Sequence, residues 1–203
     1  MQTLIKKIER LKKQGFEIHL PGGKGKDGSN AVTVAIVGRL ITTNECVVVV
    51  IPYRIRPFAE HIKRKKRKHR RVEDPIAIAV REIREETKIH LTKEKVYIVH
   101  EKLEVDNRPG KTHRLHHKYS LIAEHYTANK MRRVLTQGEP NLGVPFLMPF
   151  SMLREHLCGG QKWALGHLSI YIQHRLKHFP LVGINTGTFH NELVRELMRT
   201  VQQ

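Results

Sequence analysis

Apolar residues recur along this chain with helical period in some stretches and with strand alternation in others, and the changes of period mark its elements. In Met1 to Gln14, Leu4, Ile5, Ile8 and Leu11 share one face of a helix, while Lys6, Lys7, Arg10, Lys12 and Lys13 lie mostly off it. A helix docked on a domain is the commonest structure with that pattern, ahead of a membrane-surface helix or a basic presequence. Phe16 to Leu20 alternates as a strand does, and the glycine-rich stretch Pro21 to Gly28 follows it. Ala31 to Ile41 and Glu45 to Tyr53 are dense in valine and isoleucine and are joined by Thr42-Thr43-Asn44, which predicts a β-hairpin with a largely buried face. Helical period returns after Asp74, a capping residue followed by Pro75 at the first helical position; Ile76, Val80, Ile83 and Thr87 form the expected buried stripe.

Farther on, Lys95 to Val105 and Leu115 to Tyr126 predict strands joined by the turn Asp106 to Gly110. Thr127 to Gly143 is a predicted loop. Val144 to Phe150, apolar with two prolines, predicts an edge strand, and Ser151 caps an expected short helix through Leu157. Two more helices are predicted: Trp163 to His178, with Leu165, Leu168, Tyr171, Ile172 and Leu176 packed, and Asn191 to Val201. The sum is an α/β sandwich with a mixed β-sheet, one helix against it and further helices at the C-terminus. Expected boundaries are an N-terminal helix over 1–15, a domain over 16–158 with a basic insertion near 54–71, and a C-terminal helical extension over 159–203. The most apolar run, Val47 to Ile51, is far too short to span a bilayer.

The helix after Asp74 carries the chain's most specific chemistry. Glu82, Glu85 and Glu86 stand at i, i+3 and i+4, so their carboxylates converge on one patch and call for cations. Arg81 and Arg84 could pair with them along a solvated face, an arrangement worth only tenths of a kcal/mol per pair. A hard divalent ion is the alternative, because oxygen-only carboxylate clusters suit Mg²⁺ or Mn²⁺. The run Glu73, seven residues, then Arg81-Glu82-Ile83-Arg84-Glu85-Glu86-Thr87-Lys88-Ile89 closely resembles the Nudix box, G-x5-E-x7-R-E-U-x-E-E-x-G-U. Every charged and aliphatic position is filled, whereas Arg67 and Lys88 stand at the two glycine positions.

That resemblance implies a Nudix-like α/β/α sandwich and Mg²⁺- or Mn²⁺-dependent hydrolysis of a pyrophosphate link. It further implies metal ligands at Glu82, Glu85 and Glu86, support from Glu73, and Arg81 orienting the glutamates. Glu139, the only carboxylate of the predicted loop, is placed as an additional ligand or base by the same likeness. Leu20-Pro21-Gly22-Gly23-Lys24 is similar to what precedes the catalytic helix in many Nudix proteins, where glycine backbone approaches the phosphates, yet it lies about fifty residues too early. Either it is an ordinary turn, or a strand pair is inserted and Gly22, Gly23 and Lys24 return to the site from afar; the second also accounts for Arg67, which otherwise joins the phosphate-binding set.

Composition narrows the partners. With 37 Lys+Arg against 19 Asp+Glu the formal charge is +18, which points to polyanions such as nucleic acid or phosphorylated metabolites. Much of it sits in Lys63, Arg64, Lys65, Lys66, Arg67, Lys68, Arg70 and Arg71, a run that is either a solvated loop or an electrostatic funnel into the proposed metal site. His113, His116 and His117 are read as phosphate contacts or surface rather than a zinc set, since strand alternation separates the last two. Cys46 and Cys158 are too few for a disulfide framework, so a reducing, cytoplasmic setting is the expectation. Three functions remain open: a Nudix-type hydrolase of nucleotides or RNA 5′ ends, a hydrolase of highly phosphorylated small molecules, and a Nudix-fold RNA- or ribosome-binding protein without turnover.

Overall fold

The computed structural model describes residues 2–26, 28, 30–40, 44–55, 72–106, 114–123, 141–176 and 181–182. The basic run Lys63 to Arg71, Glu139, His113 and the predicted helix Asn191 to Val201 lie outside them. The described chain forms a mixed sheet with helices on it, as the periodicity predicts. Its elements are α1 (Gln2–Lys13), β1 (Phe16–His19), β2 (Gly22–Lys24), β3 (Asn30–Leu40), β4 (Cys46–Arg54), α2 (Pro75–Thr87), β5 (Val96–Asp106), β6 (Arg114–Ala123), β7 (Phe146–Pro149), α3 (Leu153–His156), α4 (Leu165–Arg175) and β8 (Leu181–Val182).

Strand order along the main path is β1-β4-β3-β6-β5. The long strand β3 is its spine. It runs parallel to β6 over Asn30 to Ile36 and antiparallel to β4 only at Val37 to Arg39, because β2 takes the same edge at Ala31 to Thr33. The predicted hairpin therefore exists but is short. Strand β4 gives its other edge to β7 and then to β1, so β3 and β4 satisfy their backbone groups with several partners each. Val32 to Val37 of β3 and Val47 to Ile51 of β4 are all buried, which is why these strands read as continuous apolar runs instead of alternating.

Helix α1 docks through Leu4 and Ile8, both buried in the same cluster as the sheet; each stabilises by roughly 1.5–3 kcal/mol. At the other end, Leu168 and Ile172 of α4 join that cluster. Two local expectations are corrected. The predicted long helix from Trp163 begins instead with a 3₁₀ turn over Gly159–Ala164, where two glycines disfavour an α-helical start. Ser151 does not cap α3: a 3₁₀ turn precedes that helix, and the Ser151 hydroxyl donates to Glu45 Oε1 at 3.4 Å.

Helix α2 starts as its sequence dictates, with Asp74 accepting from the Ile76 and Ala77 N–H groups and Pro75 in the first turn. Its buried face is Ile78, Ala79, Ile83 and Thr87, whereas Ile76 and Val80 are only half-buried, so the helix is rotated from the predicted stripe. The reason is its seat: α2 packs across β2, β3 and β5, which draws the glutamate side of the helix in toward the glycine strand. The helix ends at Lys88 in the left-handed conformation (φ 59°), with its N–H on Arg84 O at 3.0 Å and its Nζ on Glu85 O at 2.9 Å. Left-handed backbone costs a non-glycine residue about 1–2 kcal/mol, partly offset by that side-chain bond. Lys88→Gly is expected to raise stability by about 0.5 kcal/mol in chemical denaturation; a loss of stability would show the lysine's own contacts to dominate.

Candidate active site

Strand β2 brings the glycines to the carboxylates. The Gly22 N–H donates to Glu86 Oε2 at 2.9 Å across a separation of 64 residues. Gly23 lies flat against Glu82: a Cβ there would stand 2.3 Å from Glu82 Cδ, so only glycine leaves room for that carboxylate. Next along, Lys24 O accepts from Arg81 Nη2 at 3.2 Å, and the Lys26 N–H donates to Glu73 Oε2 at 2.8 Å. The buried Asn30 donates its side-chain amide to Glu73 O, fixing the approach to α2. The glycine-rich stretch therefore lies against α2 despite its distance in sequence.

Arg81 is the hub of the cluster. Its Nη1 donates to Glu82 Oε1 at 2.6 Å and Glu85 Oε2 at 3.3 Å, and its Nε to Glu73 Oε1 at 3.4 Å. One guanidinium thus bridges three carboxylates. Arg84, by contrast, is exposed and turned toward an open cleft of about 510 Å³ lined by Ala77, Val80, Arg81, Arg84, Glu85 and Lys93. Glu82 is largely shielded, at 14% side-chain exposure, while Glu85 is half-exposed at 53% on the cleft side.

Burial differentiates the carboxyls. Burial raises the Glu82 pKa, Arg81 opposes the rise, and the neighbouring Glu85 and Glu73 add to it, so the shift is upward. For Glu73 burial also pushes upward and is the largest single influence, but the Lys26 N–H and the Arg81 guanidinium together outweigh it and the pKa falls. Arg81 is likewise disfavoured by burial yet held charged by Glu82 and Glu73.

The donor set suits a hard divalent ion in kind, since Glu82, Glu85 and Glu86 offer only oxygen, and the absence of a Cβ at Gly23 makes room for the Glu82 carboxylate. As placed, their oxygens do not form a trio within 4.8 Å: Arg81 holds Glu82 and Glu85, while Glu86 accepts from the Gly22 N–H. Arg67, Glu139 and the basic run cannot be placed, lying outside the described residues. Sequence reasoning treated Arg84 only as a salt-bridge partner and passed over Asn30 and Lys93. Nothing local marks Asn30, whose part depends on β3 crossing behind Glu73.

No family model matches the chain, and no curated protein matches it. Solved structures do resemble it. A MutT/nudix family protein from Enterococcus faecalis is similar at 15% identity and TM-score 0.39, over 60% of this chain and 43% of that one. A C. elegans Ap4A hydrolase binary complex is similar at 14% identity and TM-score 0.42, over 72% of this chain and 98% of that one. The T. brucei MERS1–RNA complex is similar at 14% identity and TM-score 0.35, over 67% and 62%. Likeness of this degree assigns no activity to this chain.

Proposed function

We propose that this protein is a Nudix-type hydrolase that cleaves a phosphoric anhydride in a nucleoside-diphosphate-linked substrate, with RNA 5′ ends as the favoured class. One observation carries the reading: the glycine strand, far earlier in sequence, lies against Glu82 and Glu86 and so supplies the glycine backbone that the box itself lacks. A charged surface helix has no need of a glycine pressed onto its partly buried glutamate.

The residues that would hold Mg²⁺ or Mn²⁺ are Glu82, Glu85 and Glu86, with Glu73 supporting them through Arg81. When bound, the ion supplies neutralisation of phosphate oxygens and a lowered pKa for the attacking water. The remaining work falls to the chain. Arg81 keeps the carboxylates in register so that little reorganisation accompanies the reaction. Arg84 and Lys93, on the cleft beside Glu85, meet the charge of the substrate's phosphates. Water attacks phosphorus in line with the departing phosphate, and its proton passes to a carboxylate of the same cluster. The surplus of 18 positive charges favours a long polyanion over a compact metabolite, because each neutralised phosphate releases counterions.

The test is a hydrolysis panel of nucleotide sugars, dinucleoside polyphosphates, nucleoside triphosphates and 5′-triphosphorylated RNA, with Mg²⁺ or Mn²⁺ and with chelator. Metal-dependent release from at least one substrate is expected, with RNA the fastest and its rate falling steeply with salt. Preference for a small phosphorylated substrate would replace the RNA reading. Tight, salt-sensitive RNA binding with no turnover of anything on the panel would make the protein a binder and overturn the hydrolase.

A further inference from the structure

A second set of metal-ligating side chains lies where β1 meets the 3₁₀ turn after α3. The two segments are locked by backbone: the Cys158 N–H donates to Ile18 O at 2.8 Å, and Ile18 bridges Leu157 in parallel. That contact sets Cys158 Sγ 3.5 Å from His19 Nδ1. The far ring nitrogen, Nε2, lies 3.3 Å from Glu17 Oε2. A carboxylate only accepts, so Nε2 carries the proton and Nδ1 turns its lone pair to the sulfur. Among the described residues, Glu17, His19 and Cys158 are the one trio whose donor atoms all lie within 4.8 Å of one another.

We propose that Glu17, His19 and Cys158 form a zinc site. Thiolate and imidazole are soft and borderline donors that select zinc over magnesium, unlike the oxygen-only cluster on α2. With Zn–S about 2.3 Å and Zn–N about 2.0 Å, neighbouring ligands of a tetrahedral ion stand about 3.5 Å apart. Sγ and Nδ1 already have that spacing. Glu17, half-exposed at 51%, turns from the ring to become the third ligand, leaving one position for water. Binding replaces the thiol proton, which leaves to solvent. The site is joined to the glycine strand: Gln161, in the turn that Cys158 opens, accepts from Leu20 N at 2.8 Å and donates to Leu20 O at 3.0 Å. An ion on His19 and Cys158 therefore pins the residue pair that leads into Pro21 and Gly22.

Cobalt(II) titration of the metal-stripped full chain tests this, since a cobalt–thiolate bond gives an intense near-ultraviolet charge-transfer band. The band is expected at one ion per chain, displaced by one equivalent of Zn²⁺. It is expected to vanish in Cys158→Ser and His19→Ala, to persist in Cys46→Ser and Glu82→Gln, and to need more than about 10-fold more metal in Glu17→Gln, a direct ligand rather than an outer partner. Absence of the band in the native protein, or its survival in Cys158→Ser, overturns the site; so does its loss in Cys46→Ser. Should Cys158→Ser fail to fold, alkylation of the native protein decides, with Zn²⁺ expected to protect Cys158 and unprotected labelling at saturating zinc overturning the proposal.

Discussion

Glu82→Gln is expected to lower metal-dependent turnover by more than about 100-fold, because even outer partners of a metal site are typically worth 10–100-fold. The same substitution is expected to make the metal-free protein more stable at neutral pH. Glu82 is 14% exposed, and its pKa is raised in the fold by burial over the opposing pull of Arg81. An acid with a raised folded pKa binds its proton more tightly in the native state, so it contributes least once pH exceeds both values. At neutral pH its charge is a cost, and the isosteric amide removes that cost while keeping the volume under Gly23. A chelator-treated sample compared by urea denaturation, together with Mn²⁺ affinity and turnover, reads both effects. Full activity would remove Glu82 from the machinery. A stability loss of about 1.5–3 kcal/mol, the usual range of a hydrogen bond to a charged group, would instead mark the Arg81 pair as net stabilising.

Gly23→Ala is expected to cost about 100-fold in turnover with the fold retained, the scale associated with a displacement near 1 Å at a reacting centre. The added Cβ would lie 2.3 Å from Glu82 Cδ and 2.5 Å from Oε2, so the carboxylate must move. Because what must yield is a side-chain end and not backbone, the effect on stability is small and the effect on geometry is large. Gly22 is a different case: a Cβ there meets Val32 O at 2.2 Å, and its substitution is expected to disturb the β2–β3 pairing itself. Near-native activity in Gly23→Ala would separate the glycine strand from catalysis while leaving the hydrolysis itself in place.

Much of the architecture was legible because it follows from local rules. The Asp74-Pro75 start of α2, the valine-rich strands β3 and β4, and the helical repeat of Leu4 and Ile8 each depend on a few neighbouring residues. Helical spacing puts Glu82, Glu85 and Glu86 on one helix, but it does not bring their oxygens together: Arg81 holds Glu82 and Glu85, and the Gly22 N–H holds Glu86. Rotation of α2 by a fraction of a turn was not legible, because β2, β3 and β5 decide which face is covered. The short β3–β4 pairing escaped for the same reason: β2 competes for the edge, and competition between distant strands leaves no local trace.

By itself, then, the sequence determined which carboxylates share one helix, where that helix begins, and how basic the protein is. Only the tertiary structure decided that Gly22 and Gly23 belong beside Glu86 and Glu82, that Arg81 ties three glutamates into one cluster, and that His19 meets Cys158. Helical spacing fixes neighbours within a few residues. Contacts spanning 64 or 139 positions arise from sheet pairing and shared burial of the whole core, which no short stretch of chain encodes.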